Sequence, residues 1–148
     1  VKIQLKRILE EIKKWTKKYN ILFPMHPRTY KNFTKYKLIN SLKKLENLKI
    51  CNPLNYNDFL LQVTHSDFVI TDSGGIQEET SYLGIKCFTI RRNTERPITI
   101  TNGTNQLVKV DQIMSKLKVS KKNEVKIPKW DGKTSSRILK ILKRKLFN

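Results

Sequence analysis

Three short polar stretches carry residue types suited to an anionic ligand: His26-Pro27-Arg28, Thr71-Asp72-Ser73-Gly74-Gly75 and Arg91-Arg92-Asn93-Thr94-Glu95-Arg96-Pro97. The middle one says most. It lies between an apolar run, Phe68 to Ile70, and a helical pattern from about Ile76 to Leu83 that Gly84 can end in the left-handed conformation. A strand that turns directly into a helix presents unpaired backbone N–H groups and the positive end of the helix dipole. Ser73, Gly74 and Gly75 would let an anion reach that backbone without meeting a Cβ. Phosphate is the chemistry that fits. Glu78 and Glu79, read as first-turn residues, are favoured by the same dipole, and one of them can extend sideways to a pair of ribose hydroxyls. Standing alone, the turn would better suit an ordinary capped helix with acidic residues in its first turn.

The elements that must position these stretches follow from hydrophobic periodicity. Val1, Leu5, Ile8, Ile12, Trp15 and Tyr19 recur at alternating spacings of four and three, which predicts one amphipathic helix over residues 1–19. It begins with no N-cap and no preceding strand, as expected of a piece of a longer protein. Asn20 to Pro24 reads as a strand leading into His26 and Arg28, with Thr29 capping a helix from Tyr30 to about Lys44. Leu48 to Cys51 is the next strand and Tyr56 to Thr64 the next helix. After Gly84 come a strand over 87–90, the arginine-rich loop, a strand over 107–110 and a helix capped by Asp111 that runs to about Lys118. Residues 119–133 read as loop, and a terminal helix starts at Thr134 or Ser135, with Ile138, Leu139, Ile141, Leu142 and Leu146 apolar.

Strand and helix thus alternate through five units, the pattern of an α/β, Rossmann-like parallel sheet with helices on both faces. All three polar stretches follow the carboxyl ends of strands, the edge at which open α/β sheets bind ligands. Their convergence there favours the ligand-site reading over the capped helix, although a loop histidine is commonly a surface residue and Arg96 can simply pair with Glu95.

At 148 residues and 38% hydrophobic, the chain has material for one domain with a core. No apolar run approaches the ~20 residues of a membrane span, and the opening residues are charged and amphipathic, so the expectation is a cytoplasmic protein with no membrane partner. Cys51 and Cys87 fall in strands, without C-x-x-C spacing or a histidine cluster, so core packing is expected in place of a disulfide or a metal site. The net charge of +19 raises nucleic acid as a partner. Its form argues against one: 24 lysines outnumber 7 arginines and lie on the outer faces of helices, with no nucleic-acid-binding motif beside them.

Five motifs appear in order: Phe-Pro-Met-His-Pro-Arg-Thr (23–29), Thr-Asp-Ser-Gly-Gly-Ile-Gln-Glu-Glu (71–79), Thr-Glu-Arg-Pro (94–97), Gly-Thr-Asn-x-Leu-Val (103–108) and Asp-Gly-x-x-Ser-x-Arg-Ile-Leu (131–139). Together they resemble the carboxy-terminal domain of the non-hydrolysing UDP-N-acetylglucosamine 2-epimerases, over nearly the whole chain. The chain departs from the family pattern at Ile98, where Glu is common, and at Arg92, where Asp is frequent.

The resemblance implies one half of a GT-B-type two-domain fold, residues 1–148 being the UDP-binding half, with an amino-terminal domain absent from this chain. It implies that Ser73, Gly74 and Gly75 hold the diphosphate, that Glu79 accepts the ribose hydroxyls, that Arg96 sits near the diphosphate, and that His26 faces it. The implied reaction inverts C2 of the sugar through UDP elimination and re-addition, with a UDP-sugar substrate, no cofactor, no metal and a homodimeric parent. The carboxylates that move the C2 proton are expected in the other domain. A GT-B glycosyltransferase shares the phosphate-turn logic but is not expected to carry Thr-Glu-Arg-Pro, and hydrolysing epimerases typically lack it. A basic binding module without catalysis is the third reading.

Overall fold

The computed structural model describes residues 1–117 and 125–147. They form two compact units, one built on Val1–His65 and the segment from Val108, the other on Ser66–Leu107 and the carboxy-terminal segment. Strands pair in parallel in both, as the alternation predicts. The pairing comes as two sheets, β1 (Ile21–Pro24) with β2 (Leu48–Cys51) in the first unit, and β3 (Phe68–Thr71), β4 (Lys86–Thr89) and β5 (Asn105–Leu107), in that order, in the second.

In the first unit α1 (Lys2–Trp15) buries Leu5, Ile12 and Trp15 of the expected stripe and adds Leu9, while Ile8 is half-buried and Val1 is exposed. It stops four residues short of Tyr19. Asn47 Nδ2 donates to the Thr16 carbonyl at 2.8 Å, so that oxygen serves a long-range contact and the helix ends there.

The single helix expected over 30–44, capped by Thr29, is two helices and starts earlier. Pro27 occupies the first position of α2 (Pro27–Lys35), where its missing N–H costs nothing, and the His26 side chain is the cap. Lys37, at φ 57, ends α2: its N–H and that of Leu38 return to the carbonyls of Thr34 and Phe33 at 3.0 and 2.8 Å. A lysine in that conformation costs ~1 to 2 kcal/mol. The chain resumes as α3 (Ile39–Lys43), with Ile39 and Leu42 buried. α4 (Tyr56–Thr64) is capped by Asn55, whose Oδ1 accepts from the Asp58 N–H at 2.9 Å.

The second unit carries the Ser-Gly-Gly turn. β3 leads into α5 (Gly74–Tyr82), which ends as expected with Gly84 at φ 70: Gly84 and Ile85 donate to the carbonyls of Ser81 and Thr80 at 3.3 and 2.8 Å. Cys87 and Phe88 of β4 are fully buried, with Phe68 edge-on to Phe88 at 6.1 Å. Both cysteines are free thiols, Cys87 buried and Cys51 half-buried. Two elements differ from expectation. The arginine-rich loop feeds a short helix, α6 (Pro97–Thr101), and β5 begins at Asn105 in place of Leu107 because the Asn105 side chain is drawn into a buried polar cluster. A 3-10 turn (Val110–Gln112) and α7 (Ile113–Lys116) follow in the first unit. The end expected at Lys118 and part of the 119–133 loop lie outside the described residues. In α8 (Thr134–Phe147), Ile138, Leu139, Ile141, Leu142 and Leu146 are all exposed.

The backbone at Gly103 is closely packed. A Cβ built at Gly103 would overlap Ser81 Oγ and stand 2.5 Å from the Thr99 carbonyl oxygen. Gly103→Ala should therefore cost ~1 to 3 kcal/mol, the range for forcing an extra carbon into a packed site, read as a lower urea midpoint. An unchanged midpoint would show that the backbone can give way there at no cost.

Candidate anion and nucleotide site

Parallel pairing sets the geometry. Thr71 at the end of β3 is in register with Thr89 at the end of β4, and the Ile90 N–H donates to the Thr71 carbonyl at 2.8 Å. The turn after β3 and the loop after β4 therefore leave one edge of the same sheet side by side. Ser73, Gly74 and Gly75 occupy the first, Arg96 the second.

The turn closes locally. The Ser73 N–H donates to Thr71 Oγ1 at 3.0 Å, and the helix begins at Gly74, two residues before the expected start. Ser73 is the N-cap residue, and its side chain makes no capping bond to the helix. That earlier start moves Glu78 and Glu79 out of the first turn, so the expected dipole stabilisation of their carboxylates does not apply. Glu79 is half-buried. Burial raises its carboxyl above the ordinary carboxylate value, and the neighbouring charge of Glu78 pushes the same way.

The two glycines are informative because the protein itself does not ask for them. Neither has positive φ. A Cβ at Gly75 would touch nothing within 4 Å, and one at Gly74 would make only ordinary contact with Glu95 Oε2 at 3.7 Å. Glycine inside a helix costs ~1 kcal/mol relative to alanine. What this pair provides is unobstructed access to the N–H groups of the first turn.

Arg96 flanks that turn. Its Nε lies 3.1 Å from Glu78 Oε1, an ion pair in which both side chains are roughly half-exposed. The alternative pairing with Glu95 is not the one made: Glu95 instead meets Arg91, at 3.4 Å. His26 belongs to the first unit, at the carboxyl end of β1, and is exposed. Its Nδ1 accepts the Arg28 N–H at 3.1 Å, so the neutral ring carries its proton on Nε2 and can donate from there. The structure thus assembles Ser73, Gly74, Gly75, Glu79 and Arg96 in one unit and places His26 in the other. Among the described residues no group of three His, Cys, Asp or Glu is arranged to hold a metal, and no helix is long and apolar enough to cross a membrane.

Sequence reasoning missed the residues behind the site. Gln77, Thr80, Ser81, Thr89, Thr99 and Asn105 are all buried and polar. The available signal was the spacing of Gln77, Thr80 and Ser81, which puts three polar side chains on the one face of α5 that has to meet the sheet.

A family model described as UDP-N-acetylglucosamine 2-epimerase matches residues 2–143. The UDP-N-acetylglucosamine 2-epimerase of Methanocaldococcus jannaschii is 38% identical over 151 aligned residues, covering 95% of this chain and 40% of its own length. The solved structure of that protein in complex with UDP-GlcNAc and UDP superposes with a TM-score of 0.84 at 36% identity, over 97% of this chain and 41% of that one. The Neisseria meningitidis UDP-GlcNAc 2-epimerase bound to UDP-GlcNAc gives 0.70 at 27% identity, over 94% of this chain and 41% of that one. These chains share the α/β architecture of parallel sheets flanked by helices. This chain spans about two fifths of their length, and it belongs to the UDP-N-acetylglucosamine 2-epimerase family.

Proposed function

We propose that this chain is the UDP-binding half of a non-hydrolysing epimerase that interconverts UDP-N-acetylglucosamine and UDP-N-acetylmannosamine. The observation that carries the reading is the glycine pair at the start of α5, which neither φ nor packing requires, beside an arginine on the same sheet edge. In this reading the N–H groups of the Ser73-Gly74-Gly75 turn and the Arg96 guanidinium receive the diphosphate, Glu79 accepts the ribose hydroxyls, and His26 is a catalytic residue of the whole protein. In the reaction the C2 proton is removed and the C1–oxygen bond to UDP breaks, leaving a 2-acetamidoglucal and UDP. UDP then re-adds at C1 as a proton arrives on the other face of C2. Charge accumulates on the departing diphosphate, and preorganised donors are the groups that stabilise it. Proton transfer at C2 needs an acid and a base within hydrogen-bond reach, assigned here to an amino-terminal domain outside this chain. The whole protein is proposed to act in the cytoplasm as a homodimer, with no cofactor.

The 148-residue chain should bind UDP at least about tenfold more tightly than uridine, since hydrogen bonds to a charged group contribute ~1.5 to 3 kcal/mol each. Equal affinities by calorimetry would remove the diphosphate from this turn. Glu79→Gln should weaken UDP while leaving pyrophosphate unchanged; equal losses would place Glu79 elsewhere. The same variant has a second readout. A carboxyl whose pKa is raised by folding is penalised when ionised; the penalty is absent below its unfolded pKa and grows as pH rises through the folded one. Glu79→Gln should therefore raise the melting temperature at neutral pH, and the gain should fade as pH falls into the carboxylate range. The whole protein should exchange the C2 hydrogen with solvent deuterium and lose most of that rate on His26→Ala or Arg96→Ala. Exchange by the 148-residue chain alone at a comparable rate would overturn the assignment of the acid and base to another domain.

A further inference from the structure

Behind the anion turn, one side chain is bonded to nearly every segment that has to hold its shape. Gln77 is fully buried, and its Nε2 donates to the Ser73 carbonyl at 3.1 Å. Its Oε1 accepts from Thr94 Oγ1 at 2.6 Å and from Asn105 Nδ2 at 3.0 Å. Thr94 Oγ1 in turn accepts the Arg96 N–H at 3.0 Å. Asn105 passes the network on: its Oδ1 accepts from Thr89 Oγ1 at 2.6 Å, and its Nδ2 also donates to Thr99 Oγ1 at 3.2 Å. Thr99 Oγ1 donates to the Arg96 carbonyl at 2.7 Å, and the Thr99 N–H reaches the same oxygen at 3.0 Å. The Arg96 peptide groups are therefore held on both sides, its N–H through Thr94 and its carbonyl through Thr99.

The donor and acceptor roles are forced. The Ser73 carbonyl can only accept, so the Gln77 NH2 must face it and the Gln77 oxygen must face Thr94 and Asn105. Thr94 Oγ1 takes the Arg96 N–H on one lone pair and gives its own proton to Gln77. Flipping the Gln77 amide would set carbonyl against carbonyl and NH2 against NH2. A buried network in which each member is satisfied in only one orientation specifies a single geometry.

We propose that Gln77 is a positioning residue for the nucleotide site: it fixes the anion turn and the Arg96 loop relative to each other, so that both meet one diphosphate. The inference rests on the diphosphate reading of this site. Gln77 touches no ligand. It acts through Ser73 on one side and through Thr94 on the other, and a misplacement of either by a fraction of an ångström weakens a charge-assisted contact.

The test compares UDP with uridine on the full 148-residue chain by calorimetry. Gln77→Met keeps the volume and removes all three hydrogen bonds. Thr94→Val removes the link between Gln77 and Arg96, and Thr94→Ser restores it. Gln77→Met and Thr94→Val should each weaken UDP at least about tenfold while uridine stays within about twofold, and Thr94→Ser should bind UDP like the unsubstituted chain. Loss of the diphosphate preference with uridine intact is a result that general destabilisation does not produce. If Gln77→Met does not fold, the Thr94 pair decides the matter alone. The proposal is overturned if the unsubstituted chain prefers UDP and the variants keep that preference, or if UDP and uridine weaken together. An unsubstituted chain that does not distinguish UDP from uridine overturns the diphosphate reading itself, and this inference with it.

Discussion

The rung that sets Thr71 opposite Thr89 governs the second unit. Because β3 and β4 run parallel, their carboxyl ends lie together, and the two segments that leave them have to share one edge. A glycine turn that opens a helix and a loop that carries arginines become neighbours through strand register alone. Had the pair been antiparallel, the same residues would have faced opposite ends of the sheet. The candidate site is thus a property of topology before it is a property of any side chain.

That arrangement carries an energetic demand. The face of α5 toward the sheet presents Gln77, Thr80 and Ser81, and the sheet and α6 answer with Thr89, Asn105 and Thr99, all buried. Burying amides and hydroxyls is unfavourable unless each finds a partner. Here they find one another, and Thr80 Oγ1 returns to the Ile76 carbonyl at 2.7 Å. An aliphatic interior would have given more hydrophobic stabilisation but would not have fixed the two loops in one orientation. Among the described residues, the buried apolar side chains of this unit are Ile85, Cys87, Phe88 and Ile127.

Much of this was legible in the residues. The apolar run before Ser73 and the glycines after it located a strand, a turn and a helix, and Gly84 ended the helix where left-handed geometry was expected. The strand alternation gave parallel pairing. What was misread came from local chemistry that depends on distant partners. The early start of α2 depends on the His26 ring serving as cap, and the early end of α1 on Asn47 taking the Thr16 carbonyl. Asn105 precedes the strand expected over 107–110 and is a strand residue because its amide is wanted in the interior. Gln77 sat in the middle of the most recognisable motif and still drew no attention, since a glutamine on a helix is ordinarily solvated, and only the fold shows what it reaches.

The close approach at Gly103 has a mechanical side. α5 is held near its amino end by Gln77 and near its carboxyl end by Ser81, which accepts the Thr104 N–H at 3.3 Å and abuts the Gly103 backbone. A helix tied to its neighbours at both ends resists sliding along its axis. A load on the first turn is therefore shared, through Gln77, with β5 and with the loop that carries Arg96.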